Sequence, residues 1–212
     1  MIFLEKPFAE TDVILRRGGN INMSEIALYE FCCQEFEMLQ RFYANLECNF
    51  VKHPDGFFFL VPTGDILTTK ILSRACINVG QILAMLARDP EITRTSGRIE
   101  INQVLKTIDT MVPREIQKAI YSPNTRESNT DRSIGDEVRK ALRQLVYLRF
   151  IRFVAGSEAI VLAESINRFT EVARYGNEIE ETKKIILQST RGVSFITGEI
   201  NSTDSEEDNG EN

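Results

Sequence analysis

One succession of secondary-structure patterns occurs twice in this chain, about a hundred residues apart. In the first copy, apolar residues at three- and four-residue steps predict an amphipathic helix over 29–47. Two runs of β-forming residues follow at 48–52 and 57–61, and they predict a pair of short strands. Pro54 and Gly56 lie between these strands and favour a tight turn. The first copy is therefore predicted to end in a β-hairpin.

The second copy repeats this order. A helix is predicted over 134–148, and strands are predicted at 150–154 and 159–163. Two earlier helices precede each of these units, and a short segment that begins with glycine lies between them. The helices are predicted at 9–17 and 24–28 in the first copy and at 68–87 and 102–108 in the second. A repeat of this kind predicts two folding units built alike.

Helix, short strand, helix, helix and two-stranded hairpin is the order of a winged helix-turn-helix. The sequence therefore predicts a mainly α (α+β) fold with tandem winged-helix domains, which carry short β-hairpin wings, at 8–63 and 67–163. The second domain is longer because of an insert at 110–133. We expect the insert to contain a helix at 113–121 and a mobile polar loop at 122–133.

Two further segments follow the second copy. Helices predicted at 164–175 and 177–188, on either side of Gly176, make up a C-terminal helical region at 164–190 that belongs to neither copy. The segment 199–212 carries six acidic residues and no basic one, so it accounts for the whole net charge of −6. Because it has few apolar residues, we expect it to be a disordered acidic tail.

The composition leaves little material for catalysis. His53 is the single histidine, and its place in a turn predicts a solvated side chain. The four cysteines show neither a metal-binding spacing nor a disulfide pattern, and we interpret them as small core residues. We therefore predict no catalytic residue, no cofactor and no metal site. No apolar run is long enough for a membrane span and no signal peptide begins the sequence, so we expect a cytoplasmic protein with no membrane partner.

Charge separates the two copies. Residues 25–47 contain five glutamates and the single base Arg41, which favours a protein partner over a phosphate backbone. Residues 132–152 contain six bases and two acids, and the bases are Arg132, Arg139, Lys140, Arg143, Arg149 and Arg152. Two interpretations remain open for this basic helix: a solvated face with pairs such as Asp136 to Lys140, or a DNA surface that depends on shape and charge and not on base sequence.

Phe57, Phe58 and Phe59 follow one another on a predicted strand of the first wing. Successive strand residues point to opposite faces, so this strand carries large rings on both faces and only one can enter its own core. The other face must be covered by the second copy or the terminal helices, or else by another chain.

Three segments give the chain a family resemblance, namely FYANLECNFVKHPDGFFFLVP at 42–62, RSIGDEVRKALRQLVYLRFIRFV at 132–154 and ESINRFTEVARYGN at 164–177. In their order and spacing they resemble the MukE family, the small winged-helix subunits of MukBEF-like and MksBEF-like bacterial SMC condensins. The resemblance covers nearly the whole of the predicted folded part.

The resemblance implies a non-enzymatic accessory subunit that forms a homodimer and binds the central linker of a kleisin (MukF-like). The kleisin would connect it to an SMC ATPase (MukB-like), and DNA would be held without sequence preference during chromosome condensation and segregation at the nucleoid. By position, Arg132, Arg139, Lys140 and Arg143 would face DNA, and Phe57, Phe58 and Phe59 would lie in a dimer or kleisin surface. A stand-alone winged-helix DNA-binding regulator and the equivalent subunit of an SMC-type plasmid-defence system are the alternatives.

Overall fold

The computed structural model describes residues 5–67, 71–123 and 130–173. The first repeat begins with three helices, α1 (Lys6–Arg16), α2 (Ile26–Gln34) and α3 (Phe36–Ala44), with the short strand β1 (Ile21–Asn22) between the first two. A hairpin of β2 (Cys48–His53) and β3 (Phe57–Pro62) completes it. The three strands form an antiparallel sheet in the order β1-β3-β2, with Phe58 opposite Ile21 on one side and Lys52 on the other.

The second repeat has the same order with two additional helices. Its elements are α4 (Arg74–Leu86), α5 (Pro90–Arg94), β4 (Arg98–Glu100), α6 (Ile101–Met111), α7 (Arg114–Tyr121), α8 (Thr130–Tyr147), β5 (Ile151–Phe153) and β6 (Ala159–Leu162), followed by a 3-10 helix (Glu164–Ala173). Its sheet is antiparallel in the order β4-β6-β5, which matches that of the first repeat. The predicted fold class, mainly α with small antiparallel sheets, is confirmed.

The backbone matches between the repeats at positions that define the hairpins. The residue that leads from helix into hairpin has a left-handed conformation in both, with φ of 53° at Glu47 and 61° at Arg149. The hairpin turns contain Gly56 and Gly156, with φ of 86° and 72°. Left-handed backbone is costly for a residue with a Cβ, so its recurrence before each hairpin reflects a shared geometry and not chance.

Each repeat has its own hydrophobic core. The first core is rich in aromatic rings, and Phe50 and Phe58 stack there with centroids 5.2 Å apart. The second is mainly aliphatic and is centred on α4, in which every residue from Ala75 to Ala84 is buried. Two cores and two sheets support the proposal of two domains at 8–63 and 67–163.

Local capping explains where two of the second-repeat helices begin. The Ser73 hydroxyl accepts a hydrogen bond from the backbone N–H of Cys76 at 3.2 Å, so α4 begins after Ser73. The Asp89 carboxylate accepts one from the N–H of Glu91 at 2.9 Å, and Pro90 occupies the first position of α5. The short helix α5 was not predicted from the sequence, and α4 begins at Arg74, later than the predicted start at residue 68.

The single helix predicted over 29–47 is wrong, because the chain bends at Glu35 and forms α2 and α3. The bend allows the Phe36 ring to pack 5.5 Å from Phe50 and 6.1 Å from Phe58, between centroids. The predicted apolar stripe had only polar residues, Gln34 and Glu35, at this point. The short helix predicted at 24–28 is the beginning of α2.

Four further predictions concern the insert and the C-terminal region. A polar loop was predicted at 122–133, but α8 begins at Thr130, so residues 130–133 are helical, and residues 124–129 lie outside the described residues. The segment predicted as a helix at 164–175 is helical over Glu164–Ala173, where it forms a 3-10 helix. The helix predicted at 177–188 and the acidic tail at 199–212 lie outside the described residues.

The first repeat binds the carbonyl groups at the end of α8. Asn20 donates hydrogen bonds from its backbone N–H at 3.2 Å and from its side-chain Nδ2 at 2.9 Å to the carbonyl of Leu148. The Nδ2 of Asn22 donates to the next carbonyl, that of Arg149, at 2.8 Å. The last carbonyls of a helix have no partner within it, so the first repeat serves as its C-terminal cap.

The 3-10 helix joins both repeats, and its three residues per turn place positions three apart on one side. Two such positions bond the first repeat: the backbone N–H of Ser165 donates to Asn22 Oδ1 at 3.0 Å, and Arg168 Nη1 donates to Asn20 Oδ1 at 2.9 Å. The next residues along, Ile166 and Phe169, are buried in the core of the second repeat. The segment predicted to belong to neither copy therefore contacts both.

Gly80 and Gly135 lie in different environments, which predicts opposite effects of the same substitution. A Cβ at Gly80 would lie closer than 3.0 Å to the Phe169 ring, whereas one at Gly135 would meet only Arg139 Nη1 at 3.5 Å. Gly80→Ala is expected to lower the free energy of unfolding by about 1–3 kcal/mol through overpacking. Gly135→Ala is expected to raise it by up to about 1 kcal/mol through helix propensity. Urea denaturation measures both, and a stabilising Gly80→Ala would contradict the packing of the 3-10 helix.

Asn20→Ala is expected to weaken the contact between the repeats. The substitution removes the side-chain hydrogen bonds to Leu148 and Arg168 at a fully buried position, at a cost of about 2–3 kcal/mol. Denaturation followed by circular dichroism is expected to change from one transition to two, since the repeats would then unfold separately. Asn49→Ala, at an exposed position on β2, is the matched control, and equal midpoints for the two variants would contradict the role of Asn20.

Candidate nucleic-acid interface

Three arginines form one exposed line along α8. At 100° per residue, Arg132, Arg139 and Arg143 lie within about 40° of one another around the helix axis. They lie opposite the buried face, and the structure places all three side chains in solvent. None of them forms an ion pair or hydrogen bond with another side chain in the part of the chain that the structure describes. We call these three residues the arginine stripe.

Lys140, the fourth predicted DNA contact, lies beside the stripe and has a partner. Its Nζ lies 3.2 Å from Glu137 Oε1 in an i,i+3 pair, whereas the spacing in the sequence favoured a pair with Asp136. Asp136 lies on the side of the stripe and is exposed. The stripe side therefore presents three positive charges and the negative charge of Asp136, a net charge of +2. This is smaller than the net charge of +4 from the six bases and two acids over residues 132–152.

Arg149 contributes to the joint between the repeats and not to the stripe. Its guanidinium forms an ion pair with Glu25 of the first repeat. Burial lowers the pKa of Arg149, while the nearby Glu10 carboxylate acts in the opposite direction. This role of Arg149 could not be predicted from the local charge, because no local pattern identifies a partner more than a hundred residues earlier. Arg152, on β5, is exposed.

The three wing phenylalanines are covered by their own chain. Phe57 and Phe58 have no exposed surface, and Phe59 is 8% exposed. Phe58 lies in the first core, the Phe57 ring stacks 4.4 Å from His53, and the Arg168 guanidinium carbon lies 4.0 Å above the Phe59 ring. The structure thus agrees with coverage by the rest of the chain. These rings do not offer a surface to a second chain, because almost none of their area is exposed.

His53 is not the solvated side chain that its turn position predicted. It is buried at 9% exposure, and its Nδ1 accepts a hydrogen bond from the backbone N–H of Asp55 at 3.2 Å. The His53 imidazole is buried because it stacks on the Phe57 ring, which is not part of the first core. The imidazole is therefore a packing element of the wing.

The surface of the first repeat keeps its acidic character. Glu30 and Glu37 are exposed on α2 and α3, and Glu25 is paired with Arg149. Exposed apolar side chains accompany these acids, and the most exposed in the first repeat are Ile26 at 67% and Met23 at 51%. A surface of acids and apolar groups repels phosphate and suits a protein partner.

The described residues contain little that could perform covalent chemistry. Burial raises the pKa of Cys32 and of Cys76 to about 12, so neither thiol is a nucleophile at neutral pH. Within residues 5–67, 71–123 and 130–173, no three His, Cys, Asp or Glu side chains are grouped so that they could hold a metal ion. In the same ranges, no helix combines the length and the apolar character required to span a bilayer.

Comparison with known proteins identifies the family. Residues 6–174 match the family model of the condensin complex protein MksE. The chain is 25% identical to the chromosome partition protein MukE of Pectobacterium atrosepticum and to that of Escherichia coli, over 95% of this chain and 88% and 87% of those proteins. It is 27% identical to MukE of Aliivibrio salmonicida, over 88% of this chain and 79% of that protein. Because the family model covers most of the chain, including both repeats and the arginine stripe, this protein belongs to the MksE family of condensin complex proteins.

Proposed function

We propose that this protein is a non-enzymatic accessory subunit of a bacterial SMC condensin that acts in chromosome condensation and partition at the nucleoid. The observation that carries the proposal is the family match over 6–174, which includes every described secondary-structure element. In this proposal each repeat is a winged helix that binds another macromolecule. The second repeat holds DNA, and the first repeat contributes to a homodimer that binds the linker of a kleisin, which connects it to the SMC ATPase.

The arginine stripe supports the DNA contact. Phosphate contacts supply most of the affinity of sequence-independent binding, and they require cations that are not already paired. Arg132, Arg139 and Arg143 meet this requirement among the described residues, and Lys140 meets it only if it leaves Glu137. The stripe carries no Asn or Gln to read adenine edges, so we assign its arginines to phosphates, and phosphate contacts carry no direct sequence information.

The first repeat supports the protein contact. Its surface is acidic, and four of its large apolar side chains are exposed, namely Val13, Met23, Ile26 and Met38. Apolar groups that stay in solvent in the single chain are the groups that gain most free energy from burial in an interface. The first repeat is therefore the part of this chain that we assign to kleisin and dimer contacts.

Charge reversal on the stripe tests the DNA contact. Arg139→Glu with Arg143→Glu is expected to weaken binding to duplex DNA and to lower the slope of log K against log salt by about 2, because about 0.9 is lost for each phosphate contact. Fluorescence anisotropy at several salt concentrations measures this slope. Lys6→Glu with Arg41→Glu makes the same change of charge at exposed positions of the first repeat. An equal effect of both pairs would show that net charge, and not the stripe, controls binding.

A copurification experiment tests the protein contact. The chain mixed with the linker of its cognate kleisin is expected to elute as a complex that contains two copies of this chain, as measured by light scattering. Ile26→Asp is expected to weaken the complex by burying a charge, and it should not unfold α2, because an acid suits the first turn of a helix. Phe153→Asp, at a position of the second repeat that is 44% exposed, is the control.

Two results would contradict this assignment of function. A chain that stays monomeric and free of kleisin at micromolar concentration would exclude the accessory-subunit role. A strong preference for one duplex among unrelated sequences would favour the stand-alone regulator, because shape-and-charge binding cannot discriminate between bases.

A further inference from the structure

The arginine stripe ends beside an exposed aromatic side chain. Tyr147, the last residue of α8, is 53% exposed. It follows Arg143 by one helical turn, and it lies about 40° from Arg143 around the axis. Its hydroxyl adds a neutral hydrogen-bond donor to the end of the line of cations. The exposed side of α8 therefore carries a phosphate-binding group from near its beginning to its end.

A side chain of the first repeat continues this line. Arg17 is exposed directly after α1, and its guanidinium carbon lies 5.8 Å from the centroid of the Tyr147 ring, within the range of a cation–π contact. Arg17 has no carboxylate partner among the residues that the structure describes, whereas the adjacent Arg16 is bound to Asp12 at 2.7 Å. Arg17 is therefore a cation of the first repeat that is available at the end of the stripe.

The backbone holds Arg17 in this place. Asn20, three residues later, is fully buried and donates two hydrogen bonds to the carbonyl of Leu148, which directly follows Tyr147. The chain segment that carries Arg17 is therefore anchored to the end of the helix that carries Tyr147. A fixed separation matters because pre-ordered contacts cost less entropy when a ligand binds.

The size of the extended line suits a duplex. From Arg132 to Tyr147 the helix rises about 22 Å at 1.5 Å per residue. Arg17 adds a cation beside the Tyr147 end of this line, with its guanidinium carbon 5.8 Å from the centroid of the Tyr147 ring. The major groove of B-DNA is about 12 Å wide, so a line of this length can reach phosphates on both sides of the groove. Single strands are bound by successive stacking aromatics, and the stripe side of α8 presents Tyr147 alone, with Arg17 against its ring.

We infer that the DNA surface spans both repeats, with Arg17 and Tyr147 binding phosphates of the duplex beyond the end of the arginine stripe. This inference rests on the proposed function, because it extends the same surface from the second repeat onto the first. It also separates the first repeat into two parts: the acidic face of α2 and α3 binds protein, and the end of α1 binds DNA.

The test compares Arg17 with Lys6 in the full-length protein. Both are exposed cations at opposite ends of α1, about 16 Å apart along its axis. Arg17→Ala is expected to reduce the affinity for a 30-base-pair duplex by about five- to tenfold at 100 mM salt and the salt slope by about 0.9. Lys6→Ala is expected to leave the slope unchanged. Tyr147→Phe is expected to reduce affinity without a change of slope, because loss of a hydroxyl releases no counterion.

The possible results distinguish this inference from the proposed function. If Arg17→Ala behaves like Lys6→Ala while Arg139→Glu with Arg143→Glu still loses binding, the surface is confined to α8 and the inference is wrong. If the stripe variant also binds normally, the proposed DNA contact fails with it. Two results would overturn the assignment to duplex DNA. One is tighter binding of a single strand of equal length. The other is binding of polyglutamate with the same salt slope as duplex DNA, which would indicate binding to any polyanion. Thermal melts confirm that each variant is folded.

Discussion

The capping of α8 by the first repeat is the contact that fixes the rest of the structure. Four buried residues each make a hydrogen bond across the joint between the repeats, namely Asn20, Asn22, Ser165 and Arg168. Apolar packing alone tolerates rotation and sliding, whereas buried polar groups lose several hydrogen bonds at once if the orientation changes. The polar joint therefore limits changes in the angle between the two repeats.

Several contacts of this joint involve a single residue, Arg149, which also leads from α8 into the second hairpin. The carbonyl of Arg149 accepts hydrogen bonds from Asn22 and from the Ser165 hydroxyl, while the Arg149 side chain pairs with Glu25. The left-handed conformation of Arg149 turns this carbonyl away from the helix and starts β5. Glu47 has the same conformation in the first repeat, but its carbonyl accepts from Thr63 within its own hairpin. One geometry thus closes a hairpin in one repeat and joins the two repeats in the other.

Much of the fold was predictable from local patterns, and the misses have a common cause. Apolar periodicity identified α8, and β-forming runs around Pro54 and Gly56 identified β2 and β3, because these signals depend on neighbouring residues. The bend at Glu35 and the 3-10 helix were missed, since both are shaped by distant partners, the rings of Phe50 and Phe58 in one case and both repeats in the other. Contacts between distant residues produce no pattern in the local sequence.

The candidate site also contains some features that local sequence predicts and others that it does not. Exposure of Arg132, Arg139 and Arg143 followed from their spacing on a helix whose opposite face is apolar. The pairing of Arg149 with Glu25, the burial of Phe59 under Arg168 and the approach of Arg17 to Tyr147 join residues that are far apart in the sequence. Charge counted along the chain therefore overestimated the basic surface at Arg149 and underestimated it at Arg17.

Two units with one backbone plan have surfaces that suit different partners. Aromatic and aliphatic cores both support the same order of helices and hairpin, so the cores leave the outer residues free to differ. In the proposed function, the polar joint would keep a protein bound to the first repeat and DNA bound to the second at a fixed separation. A non-enzymatic subunit would contribute to the condensin in this way, by setting the distance and direction between the molecules it binds.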